Sequence, residues 1–201
     1  RALIQKKDMA TLCAWYLNAA DHGNGQWARE EMIDRLKTAA QHYRSEGELD
    51  IERGVVTRIL GLGDKDAAYL DRALSLAERA RDIEEYSTLI DSRLAIIVDE
   101  PELEGLTLFL GYQLADALGE QERAVALWRA RLDTKPSIPV GDALAGLYDD
   151  MGASRDAYEV YRYLMELLPA RREILDECLA RAHRLQLWED SCQLLFARID
   201  K

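Results

Sequence analysis

The chain has few prolines, few aromatic residues and few cysteines. Its 201 residues include four prolines, three cysteines and 7% aromatic residues. Apolar residues do not alternate with polar ones as they do in strands, so we expect almost no β-structure. Cys13, Cys178 and Cys192 form an odd, sparse set that is not a disulfide framework. We expect them to be buried free thiols, and a Cys178–Cys192 disulfide is the alternative.

Long hydrophobic runs and targeting signals are also missing. No apolar run reaches the ~18 residues needed to cross a bilayer, which predicts that this segment does not insert into a membrane. The chain begins at Arg1 and shows no signal-peptide pattern. We expect it to be a piece of a longer protein.

An excess of basic residues is absent as well. The formal net charge is −11, and the acidic excess is concentrated between residues 51 and 150. Nucleic acids and anionic membranes bind basic patches, so neither is an expected partner. The charge permits a basic protein as partner.

The sequence contains no recognisable catalytic or metal-binding motif. His22, His42 and His183 lie far apart, and no Cys-x-x-Cys or His-x-x-x-His pair is present. Gly61–Lys65 has glycines but no Gly-Lys-Ser/Thr, which indicates a turn rather than a phosphate loop. We therefore expect no enzyme activity, no cofactor and no metal ion.

What the sequence does contain is an internal repeat. When residues 108–169 are shifted by 33 positions, glycines, small residues, aromatic residues and prolines coincide. A period of this length predicts stacked helical hairpins, each consisting of a helix, a turn and a second helix. The coinciding pairs are Gly119 with Gly152, Ala124 with Ala157, Trp128 with Tyr161, Leu132 with Met165, and Pro136 with Pro169.

The second copy of this unit resembles a tetratricopeptide repeat, which is a 34-residue helix–turn–helix. The resemblance implies an all-α fold, a right-handed α-solenoid of tetratricopeptide-like hairpins. We expect about eleven helices in one segment over residues 1–201, namely five hairpins and a leading helix. The residues that match the family pattern are Leu144, Ala145, Tyr148, Gly152, Ala157, Tyr161 and Pro169.

Several residues have predicted structural roles. Small residues such as Ala124 and Ala157 allow helices to approach closely, and large ones such as Tyr161 fill the space between hairpins. Asp64 is a predicted N-cap for a helix that starts near residue 65. Glycines in residues 21–25 predict a break after the first helix. All four tryptophans are predicted to be in the core: Trp15, Trp27, Trp128 and Trp188.

In the tetratricopeptide family, the first helix of each hairpin lines a concave face that binds partners. Transferred by alignment, this gives a candidate binding face whose middle is acidic. The alternative interpretation is an ordinary solvated helix surface. The candidate residues are Gln113, Asp116, Asp142, Asp149, Asp150, Asp176 and His183.

The repeats predict a non-catalytic scaffold that binds another protein. Degenerate, acidic, arginine-rich repeats of this kind resemble the periplasmic repeat region of Pel-type bacterial exopolysaccharide export proteins. That resemblance implies a periplasmic segment, attached to an outer-membrane protein, which recruits a polysaccharide-modifying enzyme. One alternative is a cytoplasmic regulator or assembly cofactor. Another is direct binding of polysaccharide, which exposed tryptophans on the concave face would favour.

Overall fold

The fold is built from helices alone in the part of the chain that can be described. The computed structural model describes residues 2–22 and 27–199, and the side chains of residues 8–22 and 27–196. Over these residues there are eleven α-helices and no strand, which confirms the all-α prediction. The predicted break at Gly23 and Gly25 lies outside the described residues. The helices are α1 (Ala2–Asp21), α2 (Arg29–Glu46), α3 (Leu49–Gly61), α4 (Ala67–Ala80), α5 (Ile83–Leu94), α6 (Glu100–Tyr112), α7 (Gln121–Thr134), α8 (Ile138–Asp150), α9 (Ser154–Leu167), α10 (Arg172–Arg184) and α11 (Trp188–Ile199).

The helices form two compact units, Arg1–Ile97 (unit 1) and Val98–Lys201 (unit 2). In unit 1, α1 packs on α2, and two hairpins follow, α2/α3 and α4/α5. Unit 2 contains the hairpins α6/α7, α8/α9 and α10/α11. Within each unit, the second helix of one hairpin contacts the first helix of the next. The predicted hairpins are confirmed, and the prediction that residues 1–201 form one segment stays a prediction.

Acidic and hydroxyl side chains cap several helix N-termini. Asp82, Asp99 and Ser137 each accept a hydrogen bond from a backbone N–H in the first turn of α5, α6 or α8. The predicted N-cap of α4 was wrong. Asp66 caps that helix instead, because the turn before it is two residues longer than the sequence predicts. The Asp64 carboxylate accepts a hydrogen bond from the Asp66 N–H at 3.1 Å within this turn.

The core follows the predicted pattern of small and large residues. Ala124 and Ala157 are fully buried, and Tyr161 and Trp128 are nearly so. The Trp128 indole N–H donates to the Thr107 carbonyl at 3.2 Å, so this buried polar group is satisfied.

Two of the four tryptophans were wrongly placed in the core. Trp15 is 53% exposed and Trp188 is 56% exposed, whereas Trp27 is half-buried. Trp15 belongs to α1 and Trp188 to α11, and each of these helices packs mainly against one neighbour in its unit. A single packing partner buries only one stripe of a helix.

The first helix of unit 2 differs from the later ones. After α6 the chain makes a π-helical turn, Gln113–Ala117, in which the Leu118 N–H donates to the Gln113 carbonyl at 3.1 Å. Gly111 lies directly under Trp128, because a Cβ built at Gly111 falls 2.2 Å from the indole ring. The early glycine of the first repeat therefore makes room for a tryptophan where the second repeat has the smaller Tyr161.

All three cysteines are free, so the disulfide alternative is excluded. Cys13 and Cys178 are buried as predicted, whereas Cys192 is exposed and that prediction was wrong. No described helix is long and apolar enough to cross a membrane. No group of His, Cys, Asp or Glu over the described ranges is arranged to hold a metal ion.

Candidate partner-binding face

The candidate residues lie on the first helices α8 and α10 of unit 2 and, for Gln113 and Asp116, in the π-helical turn that continues the first helix α6. Helix α6 contacts α8 directly. Helices α8 and α10 are joined by a hydrogen-bonded ion pair, in which Arg181 Nη1 lies 2.5 Å from Asp149 Oδ2. The structure therefore places these first helices next to each other, as the repeat predicts.

Helical spacing brings the predicted carboxylates to one side of this layer. Asp142 and Asp149 are seven residues apart on α8, which puts them on the same face. Asp176 and His183 have the same spacing on α10. Asp116, Asp142, Asp150, Asp176 and His183 are exposed, whereas Gln113 and Asp149 are half-buried. We call these seven residues the acidic face.

Two of the carboxylates take part in internal bonds. The Tyr161 hydroxyl donates to Asp142 Oδ1 at 2.7 Å. Arg181, only 8% exposed, donates to Asp149 and lies 4.8 Å from the centroid of the Tyr161 ring. This network joins α8, α9 and α10. Sequence reasoning missed it, although Arg181 and Asp149 are separated by about one repeat.

The electrostatics of the network show a structural role. Burial is the largest single influence and would lower the pKa of Arg181. The hydrogen bond that Arg181 donates to Asp149, together with the charge of Asp149 and the contact with Tyr161, outweighs burial, and the pKa is raised. Burial, followed by the hydrogen bond to Asp142, raises the pKa of Tyr161. Both groups therefore keep their protons around neutral pH, and the bonds they donate persist there.

The remaining carboxylates, Asp116, Asp150 and Asp176, are exposed to solvent. Asp116 and Asp150 form no ion pair with any residue that the structure describes. Asp176 lies 3.8 Å from the exposed Arg172, and a surface pair of this kind contributes little. The acidic face therefore presents a negative potential from α6, α8 and α10 together.

Next to the carboxylates lie exposed aromatic rings and open space. On α6, Phe109 is 56% exposed and Tyr112 is 48% exposed. On α8, a Cβ built at Gly146 meets no atom within 4 Å, and the neighbouring helix α10 has the exposed Ala180. Small side chains in the middle of the layer leave room for the backbone of a bound segment.

His183 is in contact with an exposed aromatic residue. The rings of His183 and Trp188 pack edge to face with their centroids 5.2 Å apart. Trp188 belongs to α11, a second helix, so it borders the acidic face instead of forming part of it. The sequence-based condition for polysaccharide binding was exposed tryptophans on the concave face, and the exposed Trp188 lies at the edge of that face on a second helix.

Comparison with known proteins gives no family assignment. No protein family model matches the chain, and no curated protein matches it. Among solved structures, the chain is similar to YrrB, a tetratricopeptide protein with an unusual peptide-binding site. The sequence identity is 14% and the TM-score is 0.40, and the match covers 87% of this chain and 92% of YrrB. It is also similar to the MamA protein, at 13% identity and a TM-score of 0.43, covering 84% and 90%.

A third similar structure is a tetratricopeptide repeat protein from Parabacteroides merdae. The identity is 14% and the TM-score 0.40, and the match covers 94% of this chain and 77% of that one. The fold assignment rests on the helices and hairpins described above.

Proposed function

We propose that this chain is a non-catalytic scaffold that binds a partner protein through the acidic face. The observation that carries the proposal is the layer formed by α6, α8 and α10. It combines the uncompensated carboxylates of Asp116 and Asp150 with the exposed rings of Phe109 and Tyr112. Open layers of this kind suit an extended partner segment better than a small substrate, which binds in a closed pocket.

The chemistry of the face specifies the chemistry of the partner. Carboxylates attract lysine and arginine, and complementary charge accelerates association and selects partners more than it adds affinity. Exposed aromatic rings provide apolar contact area and cation–π partners for the same basic side chains. The expected partner segment therefore combines basic residues with at least one apolar residue.

A finer proposal is that the scaffold serves exopolysaccharide secretion in the periplasm, where it recruits a polysaccharide-modifying enzyme. What supports it is the resemblance to the repeat region of Pel-type export proteins. It predicts that the protein captured from envelope extracts is an enzyme acting on glycans, and that the gene encodes a signal peptide and an outer-membrane segment. A cytoplasmic partner and a gene without these sequences would favour the regulator or assembly cofactor.

The binding proposal is tested by selecting ligands from a displayed library of random twelve-residue peptides on the immobilised chain. The variant Asp116→Lys/Asp150→Lys removes the two carboxylates that make no internal bond. We expect selection on the wild-type chain to enrich lysine and arginine beside an apolar residue. The enriched peptides should then fail to bind this variant.

The control is Glu122→Lys/Glu166→Lys. It makes the same change in net charge at exposed positions of the second helices α7 and α9. Peptides that bind all three proteins equally, or a selection without enrichment of basic residues, would contradict the proposed site.

A further inference from the structure

Unit 1 has a groove between its two second helices, α3 and α5, closed at one side by the start of α4. Its volume is about 640 Å³, within the range of about 300–1,000 Å³ that is typical of ligand-binding clefts. We call it the unit 1 groove. The residues used below are Thr57, Leu60, Gly61, Leu70, Thr88, Leu89 and Ser92.

Unit 2 has a much smaller groove at the corresponding place, between the second helices α7 and α9. Its volume is about 180 Å³. It is lined by Arg129, Leu132, Asp133, Leu144, Glu159, Val160 and Tyr163. Both grooves are built by second helices on the same side of a hairpin, so their side chains can be compared position by position.

The buried residues of α5 and α9 fix the alignment of these two helices. In this register, Ser92 corresponds to Tyr163 and Thr88 corresponds to Glu159. At both positions, unit 1 has a small side chain with a hydroxyl group and unit 2 has a larger side chain. The aligned buried residues are Tyr86, Leu89 and Ile90 in α5, and Ala157, Val160 and Tyr161 in α9.

The same comparison holds for the opposite wall. Aligning the buried residues of α3 and α7 places Thr57 at the position of Arg129 and Gly61 at the position of Asp133. At these two positions and at the two positions of α5, the unit 1 residue is smaller than its counterpart in unit 2. This explains why the unit 1 groove is larger. The aligned buried residues are Glu52, Val56 and Ile59 in α3, and Ala124, Trp128 and Arg131 in α7.

The hydroxyl groups in the unit 1 groove are arranged as hydrogen-bond acceptors. Thr88 and Ser92 each donate their proton to a carbonyl one turn earlier in α5, both at 3.0 Å. Their oxygen lone pairs remain able to accept from a ligand. The Glu85 carboxylate at the edge of the groove is already bonded to Arg53, so it does not attract a cation strongly.

We propose that the unit 1 groove docks an aromatic side chain, tyrosine above all, presented by a segment of a partner protein. Unit 2 shows which group suits this space, because its own Tyr163 occupies the equivalent position. An aromatic ring would lie against Leu60, Leu70 and Leu89, and a phenolic O–H would donate to the oxygen of Thr88 or Ser92. This site lies on second helices of unit 1, so it is separate from the acidic face and goes beyond the proposed function.

The proposal is tested by titrating the whole ¹⁵N-labelled chain with N-acetyl-L-tyrosinamide and recording amide chemical shifts. We expect saturable shifts at Leu60, Thr88, Leu89 and Ser92, with weaker binding of N-acetyl-L-leucinamide. Ser92→Tyr, which copies unit 2, should abolish the shifts. Thr57→Arg blocks the groove from an exposed position on the other wall, and should abolish them too, which covers the case that the first variant folds poorly.

A reciprocal variant and the alternative occupants complete the test. Tyr163→Ser opens the unit 2 groove, and should add a second set of shifts at Leu132 and Val160. The proposal is overturned if the wild-type chain shows no saturable shifts, if leucinamide binds as well as tyrosinamide, or if both blocked variants bind normally. Self-association of the wild-type chain that Ser92→Tyr removes would show that the occupant is a second copy, and would overturn it as well.

Discussion

At the scale of single residues, the three thiols differ sharply in environment. Cys192 is exposed on α11, whereas Cys13 and Cys178 have no accessible surface. An exposed thiolate attacks a disulfide reagent, whereas a buried thiol is inert until the protein opens. We predict that one thiol per chain reacts rapidly with a disulfide reagent in the native state and that three react in denaturant. Rapid reaction of two or three thiols in the native state would contradict this placement.

Burial of Cys178 also gives a prediction for alkaline pH. Burial raises the pKa of its thiol from 9.0 to about 11, so the folded state holds the proton more tightly than the unfolded state. The resulting stabilisation is complete below about pH 9 and is lost as the pH rises towards about 11. Urea unfolding of Cys178→Ala should therefore show a flatter decline between pH 9 and 11 than the wild-type chain. Parallel declines would contradict this assignment.

The ion pair between Arg181 and Asp149 gives a prediction about coupling. Arg181→Met should lower the free energy of unfolding by about 1–3 kcal/mol, because Asp149 loses its buried partner. Asp149→Asn should then cost little more in the Arg181→Met background, with a coupling energy of about 1 kcal/mol in a double-mutant cycle. Additive effects of the two changes would show that the pair does not join α8 to α10.

At the scale of the elements, replacing a glycine by alanine should have opposite effects on stability at two positions of the first helices. Gly111 is buried and Gly146 is exposed. Gly111→Ala forces a methyl group into the Trp128 ring, and should lower the free energy of unfolding by about 1–3 kcal/mol. Gly146→Ala meets open space on α8, and should raise it by up to about 1 kcal/mol. Urea denaturation of the two variants measures the contrast. Equal effects would contradict the close packing of α6 on α7.

Much of this element structure follows from the sequence. The spacing of apolar residues and the capped turns predict the helices and their pairing, because a hairpin can bury its apolar stripe only against its neighbours. The π-helical turn at Gln113–Ala117 could not be predicted. It shifts the helix by a single residue just after Gly111, and a single-residue shift of that kind leaves no periodic signal.

The candidate site was predictable to a similar degree. The repeat alignment assigns Asp116, Asp150 and Asp176 to first helices. The structure shows all three exposed, with Asp150 on α8, Asp176 on α10 and Asp116 in the π-helical turn that follows α6. It does not distinguish them from Asp142 and Asp149, which are bonded to Tyr161 and Arg181, because those bonds depend on side chains from other helices. The unit 1 groove was missed because it too depends on side chains from several helices. Its only signal is a set of small residues where the later repeat has large ones.

At the scale of the whole molecule, many cations are already committed to internal ion pairs. Lys37, Arg53, Arg72 and Arg181 each bind a carboxylate of another helix or turn. The sequence has 37 acidic and 26 basic side chains besides histidine, a formal net charge of −11, so one-to-one pairing of every cation would still leave an excess of carboxylates. Binding of a basic partner should weaken as salt is added, because the Debye length falls from about 10 Å at 0.1 M to about 3 Å at 1 M. Affinity that does not change with salt would point to an apolar interface.

The central claim, that the acidic face binds a protein, is tested most directly by quantitative affinity capture from envelope and cytosolic extracts of the parent organism. Three baits are compared: the wild-type chain, Asp116→Lys/Asp150→Lys, and the charge-matched control Glu122→Lys/Glu166→Lys. The account predicts a protein that is captured by the wild-type chain and the control and lost with the first variant. Equal capture by all three baits would contradict it.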